Sequence, residues 1–259
     1  MAGLSLDDTA WTNRWRHRSV AEKSVLSLGL LLVAVTARTP VTGLLVVVVA
    51  TAVACLGARI PVGTWVRVLL APASFVLLGV VGIAVTLTPS STAGSSAAEV
   101  WWTGGPFAVT AVSAAQAGET AVRAIAGASA VMLLACTTPM PYLLGALSRV
   151  PGFATLAEIG GVVYRMLFGL LHAQARVRES QAARLGFRTP SVARRSIGLL
   201  AATTLVRAWT GARRLEEGLA GRAPAGVPFG APATDALRWA FVVPAAVVVL
   251  ATGVVGWFA

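Results

Sequence analysis

Acidic residues are scarce in this sequence. Ten Asp and Glu stand against twenty-one Lys and Arg in 259 residues, and charged residues of either sign make up only 12%. The acids are scattered: Glu158, Glu179 and Asp235 form no cluster. An intramembrane enzyme, for example a lipid-headgroup transferase, would need clustered acids or histidines near a membrane face. Only two cysteines occur, Cys55 and Cys136; both sit in apolar runs without the spacing of a zinc site, and read as small packed residues. His17 and His172 stand apart, with nothing nearby to complete a metal or catalytic group. A Gly-rich phosphate loop is missing as well, so if ATP drives this protein, another chain hydrolyses it. The expectation is a protein that is not an enzyme and holds no cofactor or metal.

Apolar residues are what the chain has in abundance. They make up 56% of it, and the mean hydropathy is +0.78. A soluble domain of this length could not hide that much apolar surface, so the composition indicates an integral membrane protein. Runs near the ~20 residues of a spanning helix are found at 66–88, 120–137 and 236–258, the last containing Pro244 as a kink site. Shorter runs at 24–36 and 41–56, separated by Arg38, Thr39 and Pro40, read as a tight helical hairpin, with a shallow, non-spanning hairpin as the alternative. About five transmembrane helices result.

The positive charge, +11 in all, is unevenly placed. Arg14, Arg16, Arg18 and Lys23 precede the first span; Arg59 and Arg67 lie between the second and third. Twelve of the twenty-one cations fall between Arg149 and Arg222. Residues 89–118 contain no Lys or Arg, and only Arg38 and Arg123 fall on that side. Positive loops stay cytoplasmic, which puts the N-terminus and the basic block inside, and 89–118 and the C-terminus outside. Arg14 to Lys23 then serve to set topology. Nucleic acid is a poor partner for this charge, since interleaved aromatics are missing. Residues 24–36 also have the length of a signal-peptide apolar region, but the polar segment ahead is long for one.

Two long helices can be drawn in the basic block. In 156–185, Ile159, Val163, Met166, Leu170 and Ala173 recur at spacings of three and four. In 191–220 the stripe is Ile197, Leu200, Thr204, Ala208, Ala212, Leu215 and Leu219. Gly186 to Pro190 breaks the pattern, with Thr189 as N-cap and Pro190 at the first helical position. Arginines occupy much of the remaining faces, so both read as amphipathic helices under the membrane bundle. A surface helix resting on lipid headgroups is the plainer alternative.

Several short segments carry a resemblance: Asp7 to Trp11, Glu22 and Lys23, Thr137, Thr138 and Pro139, Leu143 to Leu147, Val150 and Pro151, and Tyr164 and Arg165. With them the chain resembles, over nearly its whole length, the transmembrane coupling (T) component of energy-coupling factor transporters, of the cobalt-transport type. That family carries a short Ala-Arg-x motif at the end of each long cytoplasmic helix. The matching positions here are Ala183, Arg184 and Leu185, then Gly221, Arg222 and Ala223. Leu185 replaces a small residue, and Gly221 replaces an alanine. The resemblance implies that these six residues contact a pair of ATP-binding-cassette ATPases, each receiving one helix end. It further implies that ATP-driven closure is passed to a small substrate-binding (S) membrane subunit, for uptake of a vitamin or transition-metal ion. The coupling chain itself would bind no substrate and no nucleic acid.

The expected organisation is an all-α membrane protein. Residues 1–23 form a cytoplasmic segment, 24–140 hold four spans, 141–223 form a cytoplasmic coupling domain, and 224–259 hold a linker and the last span. A conventional ABC importer permease remains an alternative, because Gln181, Ala182 and Ala183 followed by Gly186 faintly echo the EAA loop. A lipid-modifying intramembrane enzyme is the more distant one.

Overall fold

The computed structural model describes residues 9–16, 18–37, 39–87, 100–104, 107–221 and 239–258. Arg38, residues 88–99, 105 and 106, Arg222, Ala223 and Asp235 therefore lie outside the described residues, as do Asp7, Asp8 and His17. The protein is an all-α membrane protein with one small sheet. The chain divides into two compact units, residues 1–143 with 233–259, and residues 144–232.

The first unit is built on a helical hairpin, α1 (Val20–Thr36) and α2 (Pro40–Ala52), with α2 ending in a π-helical turn over Val53–Gly57. Pro40 starts α2 at a position where its missing N–H costs nothing. Helix α3 (Val62–Ala84) follows. Three short antiparallel strands come next, β1 (Thr86–Leu87), β2 (Val100–Gly104) and β3 (Phe107–Thr110), in the order β1-β3-β2. The unit continues with α4 (Ala111–Thr137) and closes with α8 (Trp239–Phe258), which runs through Pro244 as one helix.

The fourth expected span begins nine residues earlier than its apolar run indicates. Thr110 and Ser113 form a reciprocal capping box: each side chain accepts from the other's backbone N–H, at 3.1 Å. This satisfies two donors that a helix start would otherwise leave open. The Ser113 hydroxyl also donates to the Ala84 carbonyl at 2.9 Å, tying the start of α4 to the end of α3. The first expected span likewise starts early, at Val20, and carries Glu22 and Lys23 into a buried first turn.

Helices α1 and α4 are antiparallel and share polar clasps along their seam. The Ser27 hydroxyl donates to the Ala130 carbonyl. At one end the Lys23 ammonium donates to the Thr137 carbonyl at 3.0 Å, and Asn13 donates to that of Cys136 at 3.2 Å. At the other, the Arg123 guanidinium donates to the Ala37 carbonyl at 2.6 Å. Each helix thus sends a cation to the carbonyl-rich C-terminal end of its neighbour, where the helix dipole favours positive charge.

Small residues let the helices approach closely, as membrane helices generally do. A Cβ on Gly43 would lie 2.6 Å from Val122, and one on Gly29 would lie 2.9 Å from Val249. Gly253 faces Val33 in the same register, so α8 runs parallel to α1. Leu26, Leu30 and Ala34 of α1, Val46 and Ala50 of α2, and Ala126, Ala130 and Leu133 of α4 form the core with Trp65. Helix α3 keeps only Trp65 buried, while Phe75 and Leu78 are 80% and 73% exposed. Such a surface needs lipid or a partner around it.

The second unit holds α6 (Ala154–Ala183) and α7 (Pro190–Ala220), reached through α5 (Met140–Leu147), which straddles the boundary between the units. Among the described residues, four helices are long and apolar enough to cross a membrane: α2 with its π-turn, α3, α4 and α6. Helix α1, at 17 residues, is shorter, as is the apolar stretch Ala245–Val254 of α8. In α6 the apolar character is concentrated ahead of His172, and the second half is polar. The first half of its buried face departs from the expected stripe, while Met166 and Leu170 are half-buried and Ala173 buried as expected. Ala157, Gly161 and Ala173 are buried, whereas Ile159 and Val163 are exposed along with Leu156 and Leu167. The small residues turn inward because Gly160 sits against Leu144, leaving the larger apolar side chains outside. In α7, Leu200, Thr204, Ala208 and Leu215 are half-buried as the stripe predicts, but Ile197, Ala212 and Leu219 are exposed.

Candidate functional site: the helix ends of the second unit

The end of α6 is shaped by its sequence. Helix α6 stops at Ala183, Arg184 is the C-cap, and Leu185 takes the left-handed conformation with φ of 57°. The Leu185 N–H bonds to the Ala182 carbonyl at 3.0 Å, and the Gly186 N–H reaches back to that of Gln181 at 2.8 Å. Those paired bonds are the Schellman termination, in which the left-handed residue is usually glycine. A leucine there costs about 1–2 kcal/mol from the approach of its Cβ to the following carbonyl.

Gly186, next along, is needed for space. A Cβ on it would lie 2.6 Å from the Ser196 hydroxyl and 2.8 Å from the Gln181 carbonyl. The buried Ser196 hydroxyl donates to the Gly186 carbonyl at 2.8 Å, pinning the turn to the first part of α7. Thr189 caps α7 by accepting from the Val192 N–H, and Pro190 opens the helix. The break expected between Gly186 and Pro190 is where the sequence places it, and Ser196 is the positioning residue that pattern reading did not find.

This anchored turn presents Ala183, Arg184, Leu185, Phe187 and Arg188 outward, with Leu185 63% exposed. Arg194 and Arg195, in the first turns of α7, are exposed as well. The tip therefore offers an apolar side chain on a constrained backbone among guanidinium groups, which can pair carboxylates in bidentate fashion. A rigid, exposed turn of this kind can enter a groove with little loss of conformational entropy.

The far end of α7 is plainer. The helix ends at Ala220, and the exposed Gly221 is its C-cap, its N–H bonded to the Glu217 carbonyl at 3.3 Å. Gly221 has φ of −81°, so an alanine would fit the same backbone. Arg222 and Ala223 lie outside the described residues. Among the described residues, Gly221 is not brought together with Ala183, Arg184 and Leu185. The 31 residues of α7 lie between them, about 46 Å along its axis. Among the described residues no group of three His, Cys, Asp or Glu side chains is placed to hold a metal ion.

The chain is similar to known transport proteins over most of its length. The family described as CbiQ, cobalt transport protein, matches residues 12–227. A curated relative, the cobalt transport protein CbiQ of Rhodobacter capsulatus, is 34% identical over 222 residues, covering 86% of this chain and 85% of that one. The protein of the same name from Salmonella typhimurium is 26% identical over 204 residues, covering 78% of this chain and 88% of its own.

Proposed function

From the premise that the chain belongs to the CbiQ family of cobalt transport proteins, we propose that it is the energy-coupling membrane subunit of an ATP-driven importer. In this reading it performs no chemistry. It joins two ATP-binding-cassette ATPases on the cytoplasmic side to a small substrate-binding membrane subunit, in the manner of energy-coupling factor transporters. The relatives' names point to cobalt as the cargo.

The observation that carries the reading is the turn at Arg184 and Leu185. It is exposed, arginine-rich and fixed by the Ser196 hydrogen bond, and α7 separates it from a second helix end by about 46 Å. One tip would engage each ATPase, with Arg184 and Arg222 as the charged plugs and Ala183, Leu185, Gly221 and Ala223 as the flanking contacts. ATPase closure on ATP would then change the spacing or tilt of α6 and α7. The exposed apolar face of α6, Leu156, Ile159, Val163 and Leu167, would pass that motion to the substrate-binding subunit in the bilayer.

The test is Arg184→Glu combined with Arg222→Glu. Losing one partner of a desolvated charge pair costs about 2–5 kcal/mol, so the double variant should lose its ATPases on affinity purification and abolish cobalt uptake. It should still insert and fold, because Arg184 is exposed. Arg14→Glu, which changes an exposed cation of the N-terminal segment, is the control and should leave assembly intact. A double variant that keeps its ATPases and its transport rate overturns the reading.

A further inference from the structure

The first unit contains an apolar cavity of about 350 Å³, open on one side, between the segment ahead of α1, the end of α2 and the middle of α8. Trp15, Leu26, Leu56, Gly57, Ala245 and Val248 are among its lining residues. Its volume lies within the range of small-molecule sites, about 300–1,000 Å³.

The cavity is built where α2 departs from regular geometry. Its wall includes the π-helical turn Val53–Gly57, closed by the Ala58 N–H bonding to the Val53 carbonyl at 3.0 Å. Such turns are rare and often mark functional sites. Gly57 is required there, because a Cβ would lie 2.7 Å from the Trp15 ring. Two residues after the turn, Arg59 takes a left-handed backbone with φ of 56° while its side chain is exposed. For a residue other than glycine this conformation is strained, and it is held here by the Ile60 N–H bonding to the Ala54 carbonyl at 3.1 Å. The Arg18 guanidinium lies 5.2 Å from the centre of the Trp15 ring. One arginine is thus held over a lining tryptophan, and a second, exposed one follows two residues after the lining turn.

We propose that this cavity binds one anionic glycerophospholipid, its acyl chain against Trp15, Leu56 and Ala245 and its phosphate headgroup between Arg18 and Arg59. The depth agrees, because Leu26 lies near the start of its helix and Gly57 ends the apolar stretch Pro40–Gly57, so both walls lie at one bilayer edge. The charge rule makes that edge the cytoplasmic one, where anionic lipids and basic pockets between helices meet. Aromatic side chains such as Trp15 are enriched at that level. The bound lipid would brace the N-terminal segment against α2 and α8.

The test uses the full chain alone, delipidated in mild detergent and titrated with phosphatidylglycerol or phosphatidylcholine of the same acyl chains, with retained lipid counted by native mass spectrometry. The wild type should retain one phosphatidylglycerol in preference to phosphatidylcholine. Ala245→Phe, which fills the cavity, should abolish retention of both. Arg59→Gln should keep a lipid but reduce the preference for phosphatidylglycerol by about fivefold. Should Ala245→Phe fail to fold by circular dichroism, Arg59→Gln decides, since residue 59 is exposed. Equal retention of the two lipids by the wild type, or an unchanged preference in Arg59→Gln, overturns the proposal. So does undiminished retention in a folded Ala245→Phe, which would mean that the cavity receives a partner's apolar side chain instead. No ATPase is present, so the outcome is independent of the coupling reading.

Discussion

At the scale of single residues, cations that look alike in sequence have different work to do. Arg123 reads as a stray charge on the wrong side of a topology map, but its guanidinium closes the C-terminal end of α1 at Ala37. Lys23 reads as one of four N-terminal topology cations, but it is buried and donates to Thr137 at the opposite end of the same helix pair. Arg123→Leu should therefore destabilise the bundle by about 1–3 kcal/mol, the cost of a carbonyl left without its partner. A lowered melting temperature in detergent, with ATPase retention unchanged below it, checks this. Leu185 offers the opposite case. Its left-handed backbone favours glycine, so Leu185→Gly should raise stability by about 1 kcal/mol, read as an increase in the same melting temperature. A decrease would mean that the exposed leucine packs in a way the isolated chain does not show. None of these roles is legible in sequence, because a cap is recognised by where its partner lies, and Ala37 is 86 positions from Arg123.

At the scale of elements, the sequence was readable wherever one helix answers to its own pattern. The break between α6 and α7 was legible because Gly186, Thr189 and Pro190 act locally. The start of α4 was not, because Ser113, Gln116, Gly118 and Glu119 interrupt the apolar pattern, and the helix there depends on the Thr110 capping box and on Ala84 of α3. Strand β3 had no signal beyond four residues, and it is held by pairing with β1 and β2. The first half of the apolar face of α6, Ile159 and Val163, was misplaced by pattern for a related reason. When a helix must leave apolar side chains for a membrane or a partner, periodicity finds a stripe but does not say which stripe is internal. Close helix contacts were equally hidden, since Gly29 looks like any glycine in an apolar run. Gly29→Leu should drive α8 from α1, because even a Cβ there lies 2.9 Å from Val249. Faster proteolysis of the C-terminal helix in membranes, against an unchanged rate for Gly79→Leu, where a Cβ meets nothing within 4 Å, is the expected outcome.

At the scale of the whole molecule, the coupling reading requires the helix ends of the second unit to lie on the cytoplasmic side, and topology can be tested apart from transport. The charge asymmetry motivates it: no Lys or Arg occurs from 89 to 118, while twelve fall between Arg149 and Arg222. The internal geometry constrains the rest, because α8 is parallel to α1 and the C-terminus must then lie on the side opposite the N-terminus if both helices span. The probes should be chosen on structural grounds. Cys55 and Cys136 should first become alanine, which suits their places in the core. Ser196 would be a poor labelling site, since it is buried and its hydroxyl holds the Gly186 turn, whereas Ser191 is exposed in the first turn of α7. Single cysteines at Ser95 and Ser191 should then react with a membrane-impermeant maleimide from opposite sides, Ser95 in intact cells and Ser191 only after the membrane is opened. A third cysteine at Ala259 should follow Ser95. Labelling of 95 and 191 from the same side would remove the orientation on which ATPase docking depends. If 259 followed 191 instead, α8 would not cross the bilayer, and the count of spans would fall while the docking surface stayed in place.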